Sequence, residues 1–259
     1  MHLLLVDIYS VIEKVWCELK AKGRVENEGQ AFVDGVCSSL NLAVDYIEPS
    51  HMAVIWSGIG SSDRRKKNPL YAIDRFELPL HAIPYLRNLC VSLSEMGIAA
   101  INSDGKESYD VMAVISEKLS DHHVTYMTPD DRCWSFVTEN HTVRWPWAPE
   151  AIRQEITPTV FASIFEEQGI NPGHYLGYLF LMRLKGIGPA QASAIIKKHT
   201  DLKSVAENMD EIGGRAGKSI RASIKTQGRQ IYHDIFPMKI KSLGISISQL
   251  ALGQDRLAA

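Results

Sequence analysis

The sequence predicts an α/β fold: a mostly parallel, twisted sheet covered by helices, followed by an all-helical C-terminal region. Three observations lead there. Short apolar runs alternate with helix-spaced segments through the first half of the chain. From about Thr157 to Lys241 only helical periodicity remains. Between the two, Pro146, Pro149 and Pro158 punctuate a stretch that suits a domain boundary near 146–157. A chain of 259 residues, 45% apolar and 22% charged, can fill one large core with a smaller module appended.

The elements follow in order. Leu3–Val6 is a fully apolar run ended by Asp7, as expected of a strand buried on both faces. Residues 11–22 and 30–45 carry apolar side chains at helical spacing, among them Val11, Val15, Leu19, Phe32, Val36 and Leu40. Met52–Trp56 and Gly97–Ile101 are the next strands, Ser108–Leu119 a helix, Val124–Met127 a fourth strand and Thr138–Arg144 a fifth. Residues 60–96 break the alternation. A basic run, Arg64-Arg65-Lys66-Lys67, opens them, and prolines and helical fragments follow, so they are expected to form a helical insertion. The expected organisation is an α/β domain over 1–150, a helical domain over 151–245 and a tail over 246–259.

Composition narrows the chemistry. No apolar run approaches the roughly 20 residues that span a bilayer. The start meets Asp7 too soon for a signal peptide, so the cytoplasm is expected and a membrane is not. Cys17, Cys37, Cys90 and Cys133 are scattered, which argues against a disulfide framework or a zinc cluster and for small core residues. His122-His123, after a helix, suits a surface or structural role; Trp134, Trp145 and Trp147 suit packing at the sheet end and domain junction. Net charge is −2, but Arg183 to Lys241 holds 12 Lys and Arg against 5 Asp and Glu. A basic segment on an acidic body suits one module that meets phosphate and another that holds cations. Acids also recur where parallel strands end, at Asp7, between Asp104 and Asp110, and at Asp130-Asp131. That edge is where ligands gather in such sheets.

The most specific string is Leu184-Lys185-Gly186-Ile187-Gly188-Pro189, continuing through Ala190, Ala192 and Ala194 to Lys197-Lys198. A helix ends at the Gly-Ile-Gly turn and Pro189 starts the next, where its missing N–H costs nothing. The glycines permit a tight backbone and bare the amides of a helix N-terminus, which favours phosphate. This is a helix-hairpin-helix signature for gripping a DNA backbone without reading sequence. Gly213 to Ser219 resembles a P-loop, but Ile212 stands where its first Gly is required. The segment fits better as the start of a basic helix carrying Lys218, Arg221, Lys225 and Arg229 along one side.

With that hairpin behind a parallel α/β body, the chain resembles the 5′-nucleases. These are the flap endonucleases and 5′→3′ exonucleases of phages and of the small domain of bacterial DNA polymerase I. Leu4-Leu5-Val6-Asp7 is similar to the family's opening strand and first metal-binding acid. Glu107-Ser108-Tyr109-Asp110 stands at its Glu-Ala-Asp-Asp, Thr128-Pro129-Asp130-Asp131-Arg132 at its Thr-Gly-Asp-Lys-Asp, and Gly186–Pro189 at its hairpin. The resemblance implies a PIN-like body and two-metal phosphodiester hydrolysis with Mg²⁺. It implies Asp7, Glu107, Asp110 and Asp130 as catalytic metal ligands, and K⁺ bound by backbone carbonyls at Leu184, Gly186 and Ile187. Branched, flapped or 5′-ended duplex DNA would be held by Lys185, Gly186, Ile187, Gly188, Lys197, Lys198, Lys218, Arg221 and Lys225. Arg64, Arg65, Lys66 and Lys67 would add contacts from the insertion.

Departures from the pattern fall on one part. Ser57 stands for an Asp after the second strand, Tyr109 for the first Asp of the Asp-Asp pair and Arg132 for the second Asp after strand four. The Asp-x-x-Asp before the hairpin is missing. Tyr71-Ala72-Ile73-Asp74-Arg75 lacks the phosphate-steering Lys of Tyr-Lys-x-x-x-Arg. The expected function is therefore structure-specific DNA binding in replication or repair, with replication proteins as partners and with catalysis reduced or lost. The alternatives are an active Mg²⁺-dependent 5′→3′ exonuclease or flap endonuclease using a residual one-metal site, and a protein scaffold that no longer touches DNA.

Overall fold

A computed structural model describes the chain except residues 24–28, 58–62, 70, 72–75, 104, 200, 209–213 and 241–259. The chain divides into two compact units, Met1–Pro129 together with Ile240, and Asp130–Lys239, whereas the prolines suggest a boundary at 146–157.

In the first unit, β1 (His2–Asp7), β2 (His51–Trp56), β3 (Ala99–Asn102) and β4 (His123–Met127) form parallel pairs in the order β3-β2-β1-β4. Asp7 lies opposite Ile55 on one side, and Val6 opposite Met127 on the other. Leu3, Leu4, Leu5 and Val6 are inaccessible on both faces, which explains why β1 reads as an unbroken apolar run. Around the sheet lie α1 (Ile8–Ala21), α2 (Gly29–Ile47), α4 (Ile83–Glu95) and α5 (Ser108–Lys118), with α1 packed on α2 and α2 on α4. The expected insertion is largely absorbed into this body. After the short α3 (Asp63–Lys67), a 3₁₀ turn at Leu80–Ala82 leads into α4, whose Leu86, Leu89 and Leu93 are buried. Its i, i+3, i+7 stripe makes it a packed helix, although Pro79 and Pro84 disguise its start.

All four strands end on one edge with a buried polar residue: Asp7 closes β1, and Ser57, Ser103 and Thr128 lie just past β2, β3 and β4. The acids expected at this edge are thus mixed with hydroxyls.

The second unit opens with a 3₁₀ stretch, Asp131–Phe136, and an antiparallel pair, β5 (His141–Arg144) and β6 (Glu155–Ile156), in register at Val143 and Ile156. A two-residue strand such as β6 leaves no period in the sequence to detect. After α6 (Ala151–Gln154) come α7 (Pro158–Ile164), α8 (Pro172–Met182), α9 (Pro189–His199), α10 (Leu202–Glu207) and α11 (Gly214–Ile235). Asn171 caps α8 and Asp201 caps α10 through their side chains. The core is aromatic: Tyr175 stacks on Trp134 at 5.8 Å and meets the rings of Phe161 and Phe165 edge-on. Trp145 and Trp147 pack edge to face at 4.8 Å.

Among the cysteines, Cys133 alone is buried; Cys17 and Cys90 are exposed and Cys37 intermediate, so the expectation of four core residues is corrected. No described helix is long and apolar enough to cross a membrane. The tail over 246–259 and Asp104 lie outside the described residues.

Candidate active site and nucleic-acid interface

Asp7 closes β1, and its carboxylate meets three hydroxyls. Ser10 Oγ donates to Oδ2 at 2.6 Å, Ser108 Oγ to Oδ1 at 2.8 Å and Thr128 Oγ1 to Oδ2 at 3.5 Å. Ser10 lies in the first turn of α1 and Ser108 starts α5, so both positions follow from helices beginning at the sheet's carboxyl edge. Glu107 and Asp110 sit at the start of α5, where the helix dipole favours acids. The backbone N–H of Glu107 donates to Asp110 Oδ2 at 3.0 Å, closing one arm of a capping box.

The partner of these acids is Arg64. Its Nη1 lies 2.5 Å from Asp110 Oδ2, its Nη2 2.7 Å from Oδ1, and Nη1 also reaches Glu107 Oε2 at 3.3 Å. Arg64 is only 2% exposed and Asp110 fully buried. The guanidinium carbon stands 5.9 Å from the ring centroid of Tyr109, the residue at the position of a missing acid. Tyr71 Oη donates to Glu107 Oε2 at 2.9 Å. The structure thus corrects one expectation. Arg64 does not face solvent with the basic run, because it is the α3 residue turned toward the acids. Tyr71, by contrast, turns its hydroxyl to Glu107; residues 72–75 lie outside the described residues.

Flanking contacts hold α3 in place. The N–H of Asp63 donates to the Gly105 carbonyl at 2.8 Å, and its carboxylate pairs with Lys106 and Lys66. Those two hydrogen bonds, Lys106 first, hold the Asp63 carboxyl below the usual carboxylate range. Arg65 pairs with Glu77 at 2.5 Å. Lys66 and Lys67 remain on the surface.

Mg²⁺ requires oxygen ligands at about 2.0–2.1 Å in octahedral geometry. Both oxygens of Asp110 face the Arg64 fork, so a dication bound there would stand against a guanidinium. The carboxylates in this arrangement do not fit such an ion. Among the described residues, no group of three or more His, Cys, Asp or Glu side chains is placed to hold a metal.

In the second unit, Asp130 is engaged in the same way. Arg132 Nε lies 2.9 Å from Oδ1 and Nη2 2.5 Å from Oδ2, while the Arg132 N–H donates to Oδ1 at 3.1 Å. Arg132 Nη1 also donates to the carbonyl of Asp234, near the end of α11, at 2.9 Å. The sequence shows Arg132 in place of an acid, but its fork on Asp130 is not legible there.

Residues 183–188 turn the chain from α8 into α9. Leu184 and Ile187 are buried and anchor the turn, while Lys185, Gly186 and Gly188 are exposed. Gly186 has φ 87°, which favours glycine, and a Cβ at Gly188 would meet nothing within 4 Å. The Ile187 N–H closes the turn on the Leu184 carbonyl at 3.3 Å, and Ser223 Oγ, from α11, donates to the Lys185 carbonyl at 3.4 Å. Of the three alanines after the turn, Ala192 is buried and Ala190 and Ala194 are exposed. Lys197 and Lys198 are exposed on α9, and Lys218, Lys225 and Arg229 on α11, with Arg221 half-buried. The opposite side of α11 buries Ile220, Ser223, Ile231 and Ile235. The helix therefore packs on one face and presents cations on another.

Residues 2–165 match the sequence profile of the 5′-3′ exonuclease N-terminal resolvase-like domain. The chain belongs to the 5′-3′ exonuclease family of 5′-nucleases. Similar proteins in the family include a flap endonuclease Xni of Shewanella woodyi, 24% identical over 88% of this chain and 91% of the relative. The DNA polymerase I of Mycobacterium tuberculosis is 22% identical over 68% of this chain and 20% of the polymerase. Among solved structures, the bacteriophage T5 flap endonuclease in a pseudo-enzyme-product complex with DNA and metal ions superposes with a TM-score of 0.66. It is 15% identical, over 91% of this chain and 88% of that one. The catalytic core of Rad2 in complex with a DNA substrate gives 0.55 at 13% identity, over 95% and 83%. At these identities the structures speak for the shared 5′-nuclease fold alone.

Proposed function

We propose that this family member holds branched or 5′-ended duplex DNA and that its phosphodiester hydrolysis is reduced or lost. What carries the reading is that Asp110 and Asp130 each give both carboxylate oxygens to an arginine fork. The grip would come from the exposed hairpin amides of the Gly186–Gly188 turn, with Lys185, Lys197, Lys198, Lys218, Arg221 and Lys225 neutralising phosphates. K⁺ held by the Leu184, Gly186 and Ile187 carbonyls belongs to the same proposal, as do a cytoplasmic setting and replication or repair as the process served.

DNA complexes of the T5 and Rad2 proteins support the nucleic-acid part of the proposal. A second reading, an active Mg²⁺-dependent flap endonuclease, is favoured by relatives of that name that align over nearly their whole length. It requires Arg64 to leave Asp110. The deciding experiment uses a 5′-flapped duplex with the full chain. Retention of the duplex in EDTA, with no turnover in Mg²⁺ or Mn²⁺, is expected. Metal-dependent cleavage abolished by Asp110→Ala would replace the first reading with the second.

A further inference from the structure

We propose that Arg64 is a built-in cation of the acid cluster: its guanidinium takes the place of a divalent ion, so that the first unit is assembled without metal and excludes metal from Asp110. The proposal deepens the reading of reduced catalysis and rests on it.

Three observations converge on Arg64. The first is geometry: two parallel N–H···O contacts of 2.5 and 2.7 Å to one carboxylate, plus 3.3 Å to Glu107, match the planar fork that arginine offers and lysine lacks. The second is burial: the side chains of Arg64, Glu107 and Asp110 are 1%, 3% and 0% exposed, so water cannot take the role of counter-ion. A buried carboxylate needs a partner, and Asp110 has this one. The third is that both neighbours of Arg64 are tied down, Asp63 to Gly105 and Lys106 and Arg65 to Glu77. The five-residue α3 is too short to persist without such ties, and they aim one of its cations inward.

The test uses the full chain without DNA. Mn²⁺ is titrated while its free electron-paramagnetic-resonance signal and the melting temperature are recorded. The wild-type protein is expected to take up no Asp110-dependent Mn²⁺ at millimolar concentration and to melt at the same temperature in EDTA. Arg64→Ala is expected to melt about 10 °C lower in EDTA. It should bind one Mn²⁺, recover most of that loss on binding, and lose the ion again when Asp110→Asn is added. If Arg64→Ala folds only with Mn²⁺ present, the proposal stands. Arg64→Met with Asp110→Asn, which removes both charges, should fold as the wild type does and bind no Mn²⁺ there. A wild-type Mn²⁺ site abolished by Asp110→Asn would overturn the proposal, and so would an Arg64→Ala protein of unchanged melting temperature that takes up no ion. Failure of the DNA-holding reading would show separately, as loss of flapped-duplex retention in EDTA by a chain that still excludes Mn²⁺.

Discussion

The two glycines of the hairpin make opposite demands on a substituted side chain. Gly186 sits at φ 87°, where an L residue is strained, whereas Gly188 has open space where a Cβ would stand. Gly186→Ala is expected to cost about 1–2 kcal/mol of stability, measured by urea unfolding. Gly188→Ala should leave the unfolding curve within about 0.5 kcal/mol of wild type while weakening duplex binding, because its methyl would stand between backbone and phosphate. Equal binding by Gly188→Ala and wild type would show that the turn does not approach DNA. Arg132 makes the second prediction at this scale. Arg132→Ala removes the partner of Asp130 and a donor to the Asp234 carbonyl, and should destabilise by about 2–4 kcal/mol. Arg132→Lys should recover less than half of the loss, since a single ammonium cannot span both carboxylate oxygens and that carbonyl.

Elements were legible where one physical signal dominated. The β1 run Leu3–Val6 and the hairpin string could be read directly, because burial on both faces and a glycine turn each leave a local mark. Helix α4 was hidden by prolines at its entry, and β6 by its brevity. The acids Asp7, Glu107 and Asp110 were legible as a set, but the Arg64 fork spans 46 residues to Asp110, and no local pattern marks which cation of Arg64-Arg65-Lys66-Lys67 turns inward. Helix α11 allows a test of its own. Lys218, Lys225 and Arg229 are exposed on it, and each phosphate contact adds close to one unit to the salt dependence. Lys218→Ala and Lys225→Ala should each lower the slope of log K against log salt by about 1, uniformly across DNA sequences. An unchanged slope would remove α11 from the interface.

At the scale of the molecule, charge and chemistry are divided between the units. The basic excess after Arg183 lies within the second unit, and an acid cluster closed by its own arginine lies in the first. Each unit carries an arginine that occupies a carboxylate the resemblance assigns to metal binding. Tyr175, whose hydroxyl faces Asp131 at 3.5 Å, has its ionisation pushed up by burial first and by that carboxylate next, so the phenol remains a neutral donor across the working pH range. Unfolding of the whole chain should accordingly be insensitive to EDTA, and a metal-dependent midpoint in the wild type would contradict the division drawn here.

The hydrogen bond from Arg132 to the Asp234 carbonyl ties the identity of residue 132 to the stability of α11. The arginine that pairs with Asp130 also secures the last turn of α11. Placing an acid at position 132 would set a second carboxylate beside Asp130, without a donor for that carbonyl. An acid at position 132 would therefore cost folding stability at the end of α11 as well as the pairing with Asp130.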